Sequence, residues 1–254
     1  MPETALVTGA SSGIGEQFAR ALSDRGHELV LVARRRERLE KLASELPGQA
    51  HVIECDLATE AASLPGRTRE LGLEVDLLVN NAGFGTWGRF IDQDPERNAE
   101  QVRVNCEAVM RLTHGYLPAM VKRGRGGVII VASTAGLQPI PYEAVYAATK
   151  AFALSFAEAL HTELRGTGVR MLAVNPGPVP TEWQAVAGHD EEGIGLPFGH
   201  VTPAQVVEES LAAYERGNRS IVPGRLMRMI ARSSAVSPRA VGLRLTERMY
   251  RPPD

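Results

Sequence analysis

Tyr146 stands four residues before Lys150 in an alanine-rich stretch of helical character, and Ser133 lies upstream at the end of an apolar, strand-like run. Side chains at i and i+4 share one face of a helix, so the Lys150 ammonium can favour the ionised form of the Tyr146 phenol. That would make the phenol a usable proton donor or acceptor. A free phenol titrates near about 10, so exchange at neutral pH asks its surroundings for about 4 kcal/mol. One solvated lysine does not supply that much, which implies a second cation close by. A tyrosine and a lysine at this spacing are not specific by themselves, and the elements that would position them carry the rest of the reading.

Those elements alternate. Short β-rich runs at residues 4–9, 28–34, 51–55, 75–80, 127–133, 169–175 and 220–222 are interleaved with helical stretches reaching residues 25 and 46 and spanning 95–122, 142–165 and 203–216. Runs such as Leu29-Val30-Leu31-Val32 and Val128-Ile129-Ile130-Val131 are apolar on both faces, as expected of strands covered by helices on both sides. The pattern predicts an α/β fold, a doubly wound (Rossmann-type) parallel sheet with helices on both faces, in a single domain. We expect a catalytic domain over residues 1–224 and a basic amphipathic extension over residues 225–254. The long irregular segment at residues 176–200, rich in Gly and Pro, is a candidate lid; its part from about residue 178 would form the substrate loop.

Composition narrows the classes. A chain of 254 residues with 44% hydrophobic content can bury a large core without disulfides or metals. A net charge of −2 gives no overall attraction to nucleic acid or to acidic membranes. Cys55 and Cys106 are too few for a disulfide framework, and the histidines lack paired ligand spacing, so no metal site is expected. Neither a targeting segment nor an apolar run of membrane-spanning length is evident. A cytoplasmic setting is the expectation.

After the first strand comes Thr8-Gly9-Ala10-Ser11-Ser12-Gly13-Ile14-Gly15, opening a helix. Glycines in a strand-turn-helix let a pyrophosphate approach the backbone and meet the free N–H groups of the helix N-terminus. The absence of a following lysine excludes a phosphate-binding loop of the nucleoside triphosphatase kind. A dinucleotide bound there could also supply the missing cation beside Tyr146, through an oxidised nicotinamide ring. The same residues match a G-x-S-x-G nucleophile elbow with Ser11 as nucleophile. That reading wants strands before the elbow and a late histidine, whereas Ser11 follows the first strand and no histidine follows His200.

At the end of the second strand, where an NAD enzyme places a carboxylate for the ribose 2′-hydroxyl, the chain reads Ala33-Arg34-Arg35-Arg36. A guanidinium without a carboxylate suits a 2′-phosphate, which favours NADP(H) over NAD(H). Asp56 either accepts from the adenine amino group or caps the next helix. Asn80-Asn81-Ala82-Gly83 closes the fourth strand. Asn105, polar in an apolar helical run, is placed either to kink that helix and hold a water or simply to cap.

Taken together and in this order, these motifs resemble the classical short-chain dehydrogenase/reductase family over residues 4–222. The resemblance maps the family's glycine motif onto Gly9, Gly13 and Gly15, its Asn-Asn-Ala-Gly onto residues 80–83, and its catalytic tetrad onto Asn105, Ser133, Tyr146 and Lys150. Its Pro-Gly motif falls on Pro176-Gly177, followed by Thr181, which in the family touches the nicotinamide amide. It implies a dinucleotide contacting Gly9, Ser11, Ser12, Gly13, Ile14, Gly15, Arg34, Asp56, Leu57, Asn81, Ala82, Gly83, Tyr146, Lys150, Pro176, Gly177, Val179 and Thr181. Many NADP-dependent members carry a second basic residue where Ser12 stands here, so cofactor preference rests mainly on Arg34.

The resemblance further implies hydride exchange with a carbonyl or secondary alcohol, in the direction of reduction. Tyr146 would be the general acid, Ser133 would donate to the substrate oxygen, Lys150 would hold the nicotinamide ribose and lower the phenol pKa, and Asn105 would order a water. Phe84, Trp87 and Phe90, with Trp183, Val186, Ile194, Leu196 and Phe198, suggest an apolar pocket mouth, and Asp190, Glu191 and Glu192 disfavour an anionic substrate. A lipophilic ketone or aldehyde is expected. A nucleotide-binding scaffold or sensor without turnover is the alternative within the fold, opposed by the intact tetrad.

The uncharged helix after Lys150, with Phe152, Leu154 and Phe156, is apolar all round and is expected to face the sheet on one side and a second subunit on the other; the resemblance implies a homodimer or homotetramer. The ending, with seven arginines against Glu247 between residues 225 and 251, has the composition of a membrane-surface helix. Packing over the substrate site or a partner subunit is the preferred expectation, since Pro238 interrupts a single long helix.

Overall fold

Seven strands, β1 (Thr4–Thr8), β2 (Glu28–Ala33), β3 (Ala50–Glu54), β4 (Val75–Asn80), β5 (Gly127–Val131), β6 (Arg170–Val174) and β7 (Ser220–Ile221), form one sheet in the computed structural model. The structure describes residues 3–180, 182, 187, 201–236 and 238–252. Strand order is β3-β2-β1-β4-β5-β6-β7 and every pairing is parallel. β1 lies between β2 and β4, with Thr8 opposite Val32 and Val7 opposite Val79. Strand order reverses there, and at that point the carboxyl ends of the strands open a crevice.

Alternate residues of each strand enter different cores, as a period of two requires. Ala5, Val7, Leu29 and Leu31 pack with Phe18, Leu22, Leu39 and Leu211 from α1 (Gly13–Asp24), α2 (Arg36–Glu45) and α7 (Pro203–Glu215). Leu6, Val30, Val32 and Leu78 pack on the other side with Leu64, Leu112, Met120 and Ala157, which come from α3 (Leu64–Glu70), α5 (Val109–Arg123) and α6 (Ala144–Glu163). This is the double-sided burial that the apolar strands predict.

Two elements depart from the sequence reading. Helix α3 was not expected, because Leu-Pro-Gly-Arg-Thr-Arg-Glu carries two poor helix formers; Pro65 falls in its first turn, where a proline is tolerated, and Leu64 and Thr68 bury its inner face. The helix expected over 95–122 is α4 (Pro95–Val102) followed by a π-helical turn at Arg103–Ala108 and then α5. Beyond β7, α8 (Arg225–Val236) and α9 (Arg239–Tyr250) meet around Pro238, so the predicted break is where the proline stands. Met227 of α8 joins the core. Among the described residues no helix is long and apolar enough to cross a membrane.

Candidate active site

A cleft of about 660 Å³ opens where the strand order reverses. Its floor begins with the turn between β1 and α1. Gly9 has φ +66°, and a Cβ there would fall 2.9 Å from Cα of Ala82. The turn runs this close to the end of β4 because the two are stitched together. The Thr8 hydroxyl accepts from N–H of Asn81 (2.9 Å) and of Ala82 (3.0 Å), and Asn81 Nδ2 donates to Thr8 O at 2.9 Å. Asn81 and Ala82 therefore shape the turn as well as lining the cleft. Ser12 begins α1 in extended geometry and its side chain does not cap the helix, leaving first-turn N–H groups beside the cleft-lining Ser11, Ser12, Gly13 and Ile14. Gly15 is not among the lining residues; a Cβ there would sit 2.3 Å from Gly9 O. Its part is to let the helix pass the turn.

Arg34, Asp56, Leu57, Gly83, Pro176, Gly177 and Val179 also line the cleft, whereas Thr181 lies outside the described residues. The two arginines after β2 differ in their contacts. Arg34 pairs with Glu100 at 3.0 Å. Arg35 reaches over the glycine turn, donating to Ser11 Oγ (3.0 Å) and Ser12 Oγ (2.9 Å) and pairing with Glu182 at 2.9 Å. The position where Ser12 leaves a basic residue missing thus receives the Arg35 guanidinium. Glu182 is held below the usual carboxylate range by Arg35 and then Arg38. Asp56 makes the cap-like turn, its Oδ1 accepting from Ala58 N–H at 3.0 Å.

At the far end, Ser133, Tyr146 and Lys150 converge. Ser133 starts a 3-10 turn (Thr134–Leu137), its Oγ accepting from Ala135 N–H at 3.1 Å, and is hydrogen-bonded to the Tyr146 phenol. Lys150 Nζ donates to Val131 O at 2.8 Å and lies 5.8 Å from the centroid of the Tyr146 ring. Both side chains are buried. Burial brings the Lys150 ammonium down to about 8. Burial also pushes the Tyr146 phenol well above its ordinary value, Glu143 pushes it the same way, and the Ser133 hydrogen bond opposes both. The expectation that Lys150 depresses the phenol therefore does not describe the protein by itself. Desolvation disfavours the charged form of each group, and the ammonium spends a hydrogen bond on a strand carbonyl. As it stands, these surroundings keep the Tyr146 phenol in its protonated form.

Asn105 stands behind the cleft in the π-helical turn, a conformation that often marks functional positions. Its Nδ2 donates to Phe84 O (2.9 Å) and Thr149 Oγ1 (3.0 Å), and its Oδ1 accepts from Phe84 N–H (3.2 Å). It ties the loop after β4 to the helix carrying Tyr146 and Lys150. Of the expected aromatic mouth, Phe84 lines the cleft, Trp87 instead donates through Nε1 to Tyr250 O at 2.8 Å, and Phe90 is exposed. Trp183, Val186, Asp190, Glu191, Glu192, Ile194, Leu196 and Phe198 lie outside the described residues.

Several lining residues were not anticipated. Leu137 and Ile140 form one wall, and Met227, Ile230, Leu245, Met249 and Tyr250 of α8 and α9 form another. Glu143 is 2% exposed at the start of α6. An acid three residues before Tyr146 shares its helix face, a signal available in the sequence. Ser11, the nucleophile of the hydrolase reading, is bonded to a guanidinium, which does not activate a hydroxyl as a base would.

A glycine turn at the strand-order switch and a Ser, Tyr and Lys set at the other end of one cleft define an oxidoreductase of the dinucleotide-binding α/β class. The short chain dehydrogenase family model matches residues 3–192, and the chain belongs to that family. The NADP-dependent 3-hydroxy acid dehydrogenase YdfG of Salmonella typhi is 36% identical over 220 residues, covering 80% of this chain and 85% of that protein. A short-chain dehydrogenase from Sphingobium yanoikuyae, solved in complex with NADPH, superposes with a TM-score of 0.82 at 32% identity, covering 92% and 93% of the two chains. The bulky-bulky ketone specific alcohol dehydrogenase from Comamonas testosteroni superposes with a TM-score of 0.75 at 30% identity, covering 88% and 86%.

Proposed function

We propose that the protein is an NADP(H)-dependent reductase of a neutral, lipophilic ketone or aldehyde. The observation that carries this reading is the convergence of Ser133, Tyr146 and Lys150 at one end of a cleft whose other end is the glycine turn. Relatives described as NADP-dependent or bound to NADPH support the cofactor, and the residues fit it. The glycine turn leaves helix N–H groups for a pyrophosphate, Arg35 and Arg34 stand where a 2′-phosphate would be held, and β2 ends without a carboxylate. Lys150 and Tyr146 would hold the nicotinamide ribose.

When bound, NADPH supplies the hydride that reduces the carbonyl carbon. Ser133 Oγ donates to the substrate oxygen and orients it, stabilising the charge that develops there. Tyr146 Oη gives that oxygen its proton, which its burial keeps in place at neutral pH. Lys150 Nζ, set near the phenol, compensates the phenolate left behind. Asn105 maintains the distance between the loop after β4 and α6. Apolar walls from Phe84, Ile140, Met227 and Met249 exclude water, and Glu143 disfavours an anionic substrate. The enzyme assembles as a homodimer or homotetramer through the uncharged outer face of α6, where Phe152 is exposed and stacks on Phe156.

The test is NADPH consumption over a panel of ketones and aldehydes, and NADPH formation from NADP+ over secondary alcohols and hydroxy acids, with ester hydrolysis run in parallel. Bulky neutral carbonyls are expected to be reduced and esters left intact. Tyr146→Phe should lower kcat by at least about a thousandfold, within the range general acids contribute, with NADPH binding retained. Turnover by that variant near the wild-type rate at neutral pH would overturn the assignment.

A further inference from the structure

Large exposed apolar side chains gather on α8 and α9. Leu226, Met229 and Ile230 share the outer face of α8 while Met227, on the opposite side, is buried. Val241, Leu245 and Met249 stack at intervals of four along the outside of α9, with Met229 and Leu245 exposed to 67% and 60%. Arginines edge both stripes: Arg225 and Arg232 beside the first, Arg244 and Arg248 beside the second. Arg228 pairs with Glu209 and Arg251 with Glu247. Among the described residues, Arg225, Arg232, Arg239, Arg244 and Arg248 have no carboxylate partner, although exposed arginines near β2, such as Arg34, Arg35, Arg36 and Arg38, are paired. These two helices thus carry cations without a carboxylate partner in a chain whose net charge is −2.

We infer that α8 and α9 form a docking face for an anionic phospholipid surface, with the apolar stripes entering the headgroup boundary and the flanking guanidinium groups meeting lipid phosphates. An apolar stripe edged by cations is the composition of helices that lie in a membrane interface, and the guanidinium fork matches phosphate oxygens. A second copy of the chain is a poorer occupant. A two-fold contact would place this face on itself and set arginines against arginines, whereas the outer face of α6 offers apolar surface without that repulsion. The docking face also continues into the cleft, since Ile230, Leu245 and Met249 belong to both.

Flotation of the full chain with vesicles tests this. Recovery is expected with phosphatidylcholine and phosphatidylserine in about a 7:3 ratio and not with phosphatidylcholine alone. Replacing Arg225, Arg244 and Arg248 together by Gln should weaken binding about a hundredfold, from the usual contribution of each basic residue at an anionic surface. Met229→Ser with Val241→Ser should weaken it independently. Both variants should keep the wild-type melting temperature, NADPH binding and turnover of a soluble ketone, so that loss of docking is read apart from loss of catalysis. Absence of recovery with either vesicle, equal recovery with both, or recovery unchanged in both variants would overturn the inference. So would a dimer in solution that the same substitutions dissolve.

Discussion

Glu143 acts on Tyr146 from one turn away on α6, and its carboxylate is enclosed with the phenol rather than open to water. Other groups around the phenol are Ser133 from the end of β5, Tyr250 from α9 and Lys150 from the next turn of α6. Because Glu143 raises the phenol pKa, Glu143→Gln should lower it. Reduction, which needs the protonated phenol, should then lose rate at a lower alkaline pH than in the wild type, and alcohol oxidation should become faster at a given pH. The kcat for reduction at neutral pH should stay within about twofold, since the phenol remains protonated there. Coincident pH profiles for the two proteins would exclude an effect of Glu143 on the proton donor. A second residue-scale prediction concerns the cofactor. Arg35 lies over Ser11 and Ser12, so Arg35→Ala should raise the KM for NADPH about ten- to a hundredfold, the worth of a charge-assisted hydrogen bond. The KM for NADH should change little; equal changes for both cofactors would remove Arg35 from the 2′-phosphate site.

Among the elements, the junction of β1, α1 and β4 has the least spare room. A methyl group at Gly15 would meet the backbone of Gly9 and the Asn81 amide at 2.3 and 2.4 Å, and backbone cannot yield as a side-chain tip can. Gly15→Ala should therefore cost about 2–4 kcal/mol of unfolding free energy, in the range of overpacked or strained sites, and should weaken NADPH binding in parallel. Gly66, within α3, makes the comparison: nothing lies within 4 Å of a Cβ there. Gly66→Ala should instead stabilise by about 0.5–1 kcal/mol through helix propensity. Chemical denaturation of the two variants distinguishes a glycine required by close approach from one the helix merely tolerates.

For the molecule as a whole, the burial of Lys150 carries a cost. Lys150 is buried and donates to a strand carbonyl, and burial takes it from 10.5 down to about 8. Between those values the unfolded chain binds more protons than the folded one, so stability rises with pH across that window, and below about 8 the whole penalty is present. Lys150→Met should be inactive yet more stable than the wild type by a few kcal/mol near neutral pH. Its advantage should shrink as pH rises from about 8 towards 10.5. Unfolding midpoints measured for both proteins across that interval check the sign, and an advantage that grew with pH would contradict it.

What the linear chain determined on its own was whatever short-range chemistry can encode. Apolar runs such as residues 29–32 and 128–131 specify strands buried on both faces, because water is excluded whichever way each side chain points. Gly9, Gly13 and Gly15 specify a turn open to phosphate, and Tyr146 and Lys150 share a helix face by covalent spacing alone. The tertiary structure decided which groups from distant segments meet. Arg35 rather than Arg34 covers the glycine turn, through a pairing with Glu182 across 147 residues. Trp87 reaches the Tyr250 carbonyl across 163 residues, so that α9 closes one side of the cleft. The larger part of the upward push on the Tyr146 phenol likewise comes from burial, a property of packing that no local pattern of residues records, with Glu143 adding to it from nearby in the chain.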